Sequence, residues 1–92
     1  MNEFETLERH RSLDLLRLRD FYRLLREFEE GIATWEAILN DPQQSAEHEK
    51  ALKALEIARR GKAYVTESIE KCINLLSLLD ENEELLRQLE SL

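Results

Sequence analysis

The stretch "LNDPQQ", Leu39 to Gln44, carries the clearest chain-reversal signal in this sequence. Asp41 is a strong N-cap residue, because its carboxylate can accept from the free backbone N–H groups that open a helix. Pro42 follows at the first helical position, where its missing N–H costs nothing. Gln44 stands where a capping box takes Glu or Gln. Asn40 is a residue type that tolerates the left-handed conformation used to end a helix. One helix therefore ends near Leu39 and another begins at Pro42, and so short a connection makes the two antiparallel neighbours.

The flanking residues agree with that reading. Before the turn, Leu18, Phe21, Leu25, Phe28, Ile32, Trp35 and Leu39 recur at alternating spacings of three and four. After it, Ala51, Leu55, Ala58, Lys62, Val65, Ile69, Cys72, Leu76 and Leu79 do the same, with Lys62 a polar intruder. This is the periodicity of a coiled-coil seam. Pivoting at Asp41 sets Ile32 opposite Ala51, Phe28 opposite Leu55, Leu25 opposite Ala58 and Phe21 opposite Lys62. Bulky side chains then often face alanines, which lets two helices interdigitate closely. Further out the same register sets Asp14 and Arg11 against Ile69 and Cys72. A charge facing buried apolar groups is costly, so a break is expected near "RHRSL", with Ser12 as the cap of the helix that follows. Asn2 to Glu5 forms a capping box for a short first segment carrying Phe4 and Leu7. Gly61 costs about 1 kcal/mol relative to Ala inside a helix, yet the seam keeps its phase across it, which favours a helix running through. Asp80 and Glu83 make another capping box, so residues 81–91 are a third helix or an extension of the second.

The expectation is thus an all-α fold: an antiparallel, coiled-coil-like helical hairpin with a short third helix or C-terminal extension, and a four-helix bundle if it dimerises. It places helix 1 at about 12–39, the turn at 40–42, helix 2 at about 42–79 and the C-terminal segment at about 81–91, with residues 1–11 a short helix or a frayed end of one domain. Composition agrees. Of 92 residues, 36% are charged and 42% hydrophobic, with only 2 Gly and 1 Pro, the balance of long helices.

The net charge is −7, distributed as +1 over residues 1–26, −6 over 27–58 and −2 over 59–92. An acidic surface is repelled by phosphate backbones, so no nucleic-acid partner is expected. The small basic clusters, Arg19–Arg23–Arg26 and "RRGK" from Arg59 to Lys62, read as solvated helix faces. The carboxylates Glu27 and Glu30 stand four residues after Arg23 and Arg26, as surface pairs do. The single Cys72 allows no internal disulfide and occupies a seam position. It fits a reducing compartment. No apolar run approaches the length of a membrane span and no leader opens the chain. A soluble, cytoplasmic protein is expected, with a leaderless secreted substrate as the alternative.

No catalytic, cofactor or metal site is expected. His10 and His48 are far apart, "EHEK" lacks the spacing of a zinc-binding helix, and Cys72 has no histidine placed to activate it. There is no glycine-rich phosphate loop, and nothing suggests a small-molecule substrate. What remains unexplained is the leucine-rich end, "KCINLLSLLDENEELLRQLESL". Burying a leucine is worth roughly 1.5–3 kcal/mol, so leaving many wet is costly. Leu85, Leu86, Leu89 and Leu92 have nothing to face unless the first ten residues reach them. The expected covering is a folded-back third helix, a second copy of the chain, or a different helical protein.

The expected function is a non-enzymatic protein–protein interaction module, such as an adaptor, assembly subunit or chaperone. It would take a partner helix into a groove lined by Ile69, Ile73, Leu75, Leu78, Leu85, Leu86 and Leu89, with Trp35 as a candidate hot spot. The alternatives are an obligate homodimeric bundle and a small acidic inhibitor that occludes a basic site through Glu29, Glu30 and Glu36. In composition and layout alone, the chain is similar to the helical-hairpin co-chaperones of bacterial type III secretion. Such a resemblance implies a cytoplasmic protein that covers a hydrophobic helix of a filament subunit. "TWEAI" looks, at first glance, similar to the WXG-type secreted proteins, but Ala37 stands where that family has Gly.

Overall fold

The computed structural model describes residues 3–92, and the cap expected at Asn2 lies outside them. The described residues are all-α. Helix α1 runs Glu3–Leu39, a 3-10 helix covers Pro42–Glu47, and helix α2 runs His48–Glu90. The two long helices lie side by side and run in opposite directions. Glu36 of α1 pairs with Arg59 of α2 at 3.2 Å, Glu29 with Lys62 at 3.7 Å, and Arg11 with Glu83 at 2.7 Å. The result is a rod with extents of 72 × 17 × 14 Å and a radius of gyration of 20.6 Å, against about 12 Å for a compact chain of this length.

The connection differs from the expected turn in two ways. Asp41 caps as read: its Oδ1 accepts from the Gln43 N–H at 2.9 Å, and its Oδ2 accepts from the Gln44 amide at 2.9 Å. These bonds hold the carboxyl below its ordinary 3.8, with the Gln44 contact the larger cause. What the cap opens, however, is the 3-10 segment, in which Gln44 departs from helical geometry at φ −105° and ψ 27°. The α-helix proper starts only at His48, whose Nε2 lies 3.1 Å from the Asp41 carbonyl oxygen. Asn40 does not take the left-handed conformation, since no described non-glycine residue has positive φ. The end of α1 closes instead with the Asn40 N–H on the Glu36 carbonyl and the Asp41 N–H on the Ile38 carbonyl.

This longer connection shifts the pairing. Phe28 sits against Gly61, not Leu55, six positions further along α2. The shift is close to one heptad, so the alternation of threes and fours survives and its partners change. Gly61 does not break α2; a Cβ there would overlap the Phe28 ring. Lys62, the polar intruder, turns outward to Glu29.

The same shift removes the reason for a break at "RHRSL". Helix α1 continues from Glu3 through Ser12 to Leu39, because Arg11 now faces the acidic run of α2 in place of Cys72. Asp80 and Glu83 do not cap a third helix; both accept from the Arg11 guanidinium, and α2 runs through them to Glu90. Among the described residues the buried hydrophobic ones, Ala51, Leu55, Ala58, Val65, Ile69 and Cys72, all lie on α2, none beyond Cys72. In the distal part the buried residues are charged: Asp14 is 8% exposed and Glu83 is 6% exposed.

Candidate interaction surface

The leucines of α2 beyond Cys72 divide into two stripes. Leu76, Leu79 and Leu86 continue the seam toward α1 and are partly buried. Leu75, Leu78 and Leu85 each precede one of these by a single position. One position is about 100° of rotation in an α-helix, so they form a second stripe on α2's flank. That stripe continues through Leu89 and Leu92, and exposure along it rises from 48% at Leu75 to 64% at Leu89. Ile57 and Tyr64 extend it toward the connection, both exposed.

The near wall of this stripe is the first half of α1. Towards the distal pole, Glu3 and Leu7 stand beside Asn82, Leu85, Leu86 and Leu89. One step toward the connection, His10, Asp14 and Arg17 stand beside Leu75, Leu78, Leu79 and Asn82. Asn82 belongs to both depressions, so they form one continuous shallow groove. Glu3 and Leu7 do reach Leu85, Leu86 and Leu89, while Leu92 stays fully exposed.

Of the expected partner-binding residues, the structure brings Leu75, Leu78, Leu85, Leu86 and Leu89 together along this groove. Ile69 is buried between the helices. Ile73 is half-exposed but lies two positions from Leu75, about 200° around the axis, and faces the other flank. Trp35 is half-buried at its seam position near the connection, remote from the groove. Leu7, His10, Arg17 and Asn82 were not singled out from sequence as groove residues. Asn82 was signalled by spacing, since it falls on the same flank of α2 as Leu75, Leu78 and Leu85; Leu7, His10 and Arg17 depend on how α1 faces that flank.

Beneath the groove lies an ionic layer. Arg11 donates to Glu83 at 2.7 Å and also to Asp80, and Arg87 approaches Glu83 at 3.8 Å. The hydrogen bond to Glu83 is the largest cause raising the Arg11 guanidinium above its ordinary value; burial opposes it and the charge of Asp80 adds to it. The second oxygen of Glu83, Oε1, is buried and makes no hydrogen bond to any described residue. Asp14 lies 3.6 Å from Arg17.

Elsewhere the basic cluster on α2 is paired. Arg59, Arg60 and Lys62 of "RRGK" pair with Glu36, Glu56 and Glu29. Arg23 pairs with Asp20, one turn before it, and not with Glu27. Cys72 is a buried free thiol. Among the described residues no three His, Cys, Asp or Glu side chains are grouped to hold a metal ion, and no helix is long and apolar enough to cross a membrane. No protein-family model, characterised protein or solved structure matches this chain.

Proposed function

We propose that this chain is a non-enzymatic helical interaction module: a coiled-coil-type hairpin whose leucine groove takes a further helix and so completes a bundle. The observation that carries it is the exposed stripe Leu75–Leu78–Leu85–Leu89, walled by α1. Area gives the scale. The chain exposes 7116 Å², where a compact monomer of its size exposes about 5,600 Å². The excess, about 1,500 Å², exceeds the roughly 800 Å² that one partner buries in a standard interface. An amphipathic helix laid in such a groove buries its own apolar face against the stripe, and charges at the rim select its direction.

The acidic-inhibitor reading has less support. Glu29 and Glu36, two of the three carboxylates it relies on, already pair with Lys62 and Arg59. That leaves less unpaired charge for a basic target.

The test is mass by light scattering, over a wide concentration range, together with binding of a hydrophobic dye. The wild-type protein should either run above its monomer mass or bind the dye through an open groove. Leu78→Asp with Leu85→Asp should abolish both signals while helical content is kept. A wild-type monomer that is silent to the dye would end this reading.

A further inference from the structure

The groove has a direction. Glu3 stands at its distal end and Arg17 at the other, with His10 midway, seven residues from each. On α2 the midpoint is Asn82: Leu75 and Leu89 lie seven residues either side, and Leu78 and Leu85 four and three. His10 and Asn82 are near the same level of the rod, since their sequence neighbours Arg11 and Glu83 pair directly at 2.7 Å. At 1.5 Å rise per residue, the flanking groups sit about 10 Å on either side of this level on both helices.

We propose that the occupant of the groove is a second copy of this chain, docked antiparallel about a twofold axis passing beside His10 and Asn82. This rests on the groove being a helix-binding surface and says what fills it. A twofold interface brings residue i onto j and j onto i. About this axis Leu75 meets the partner's Leu89, Leu78 meets the partner's Leu85, and Glu3 meets the partner's Arg17, each twice. Arg17 has Asp14 at 3.6 Å, but its side chain remains 66% exposed and within reach of a second carboxylate. Asn82 meets the partner's Asn82. A carboxamide both donates and accepts, so two of them across a twofold satisfy each other, and a lone Asn in an apolar stripe is a device that fixes register. A parallel second copy, related by a twofold along the rod, would set α1 over the partner's α2 and leave Glu3 without Arg17. The arrangement sets α2 against the partner's α2 and α1 against the partner's α1, a four-helix bundle.

The experiment is sedimentation equilibrium at low salt on the full chain, with Glu3→Arg and Arg17→Glu singly, together in one chain, and as an equimolar mixture of the two single variants. Each single reversal sets like charges together at both rims and should weaken the dimer by about tenfold. The mixture should form a heterodimer at wild-type strength, because at both rims an arginine of one chain then faces a glutamate of the other. The variant carrying both changes should recover for the same reason. A wild-type monomer that binds dye would overturn the second-copy proposal and leave the groove reading standing. So would a dimer that Leu78→Asp with Leu85→Asp dissociates but charge reversal leaves untouched or unrescued. A dimer indifferent to the leucine substitutions would sink both.

Discussion

At the scale of single residues, the two glycines make the sharpest contrast. Both lie inside helices, where Ala is preferred by about 1 kcal/mol. Gly31 has nothing within 4 Å of where a Cβ would stand, whereas at Gly61 that space is filled by the Phe28 ring. Gly31→Ala should therefore stabilise the protein by about 0.5–1 kcal/mol in urea denaturation. Gly61→Ala should destabilise it by about 1–2 kcal/mol, because displacing a packed ring outweighs the gain in propensity. Phe28→Leu in the Gly61→Ala background should recover part of the loss. If both alanines stabilised equally, Phe28 would not be packed on Gly61. The sequence showed that a helix could run through Gly61. That an aromatic ring takes the place of the missing side chain was not legible, because it depends on which residue of α1 lies opposite.

At the scale of elements, that dependence is general. A seam built of threes and fours looks the same after a slip of seven, so periodicity fixes which face of each helix is inward and leaves the partner undetermined by one heptad. The cap at Asp41 was readable. Its continuation as a 3-10 segment was not, because Pro42, Gln43 and Gln44 suit the first turn of either helix type. Features that occur once, not periodically, select the register: Phe28 on Gly61, and Arg11 on Asp80 and Glu83. Of these carboxylates only Glu83 is buried, and a pair of that kind can specify register as well as add stability. Arg11→Leu alone should lower the melting temperature by about 10 °C or more, since it strands the buried Glu83 carboxylate. Arg11→Leu with Glu83→Leu should restore or exceed the wild-type value while lessening the preference for one register. Thermal unfolding followed by circular dichroism checks the first part, and cysteine cross-linking across the seam checks the second. A double variant as unstable as the single would show that the ionic layer itself stabilises the pair. The groove was half-legible for a related reason. The surplus of leucines was visible in the sequence, but separating Leu75 and Leu78 from Ile69 and Ile73 requires the rotation of α2 about its own axis, which the helix pairing sets.

At the scale of the whole molecule, the rod is uneven along its length. Its buried hydrophobic residues lie between Ala51 and Cys72, and beyond them the interior holds Asp14 and Glu83. Amide hydrogen exchange should therefore divide the chain. Amides of α2 from Leu55 to Ile69, with their α1 partners, should exchange only through the largest openings. Those of residues 3–14 and 80–90 should exchange at least about tenfold faster, through opening of the distal pole alone. Uniform protection along both helices would contradict this division. Occupation of the groove should close the gap, because a third helix lies over the part that the two-helix seam holds least firmly.

The layout also has a mechanical consequence. Glu3 and Leu89 stand at one pole of the rod, and the connection at Pro42–Glu47 stands at the other. A force drawing the two helices apart at the open pole loads the cross-helix contacts one after another. Leu7 against Leu86 parts even before the ionic layer, and the pair then peels open toward Gly61 without shearing the whole seam at once. The protein would yield progressively under small loads at that pole, and the aliphatic packing near the connection would be the last to part.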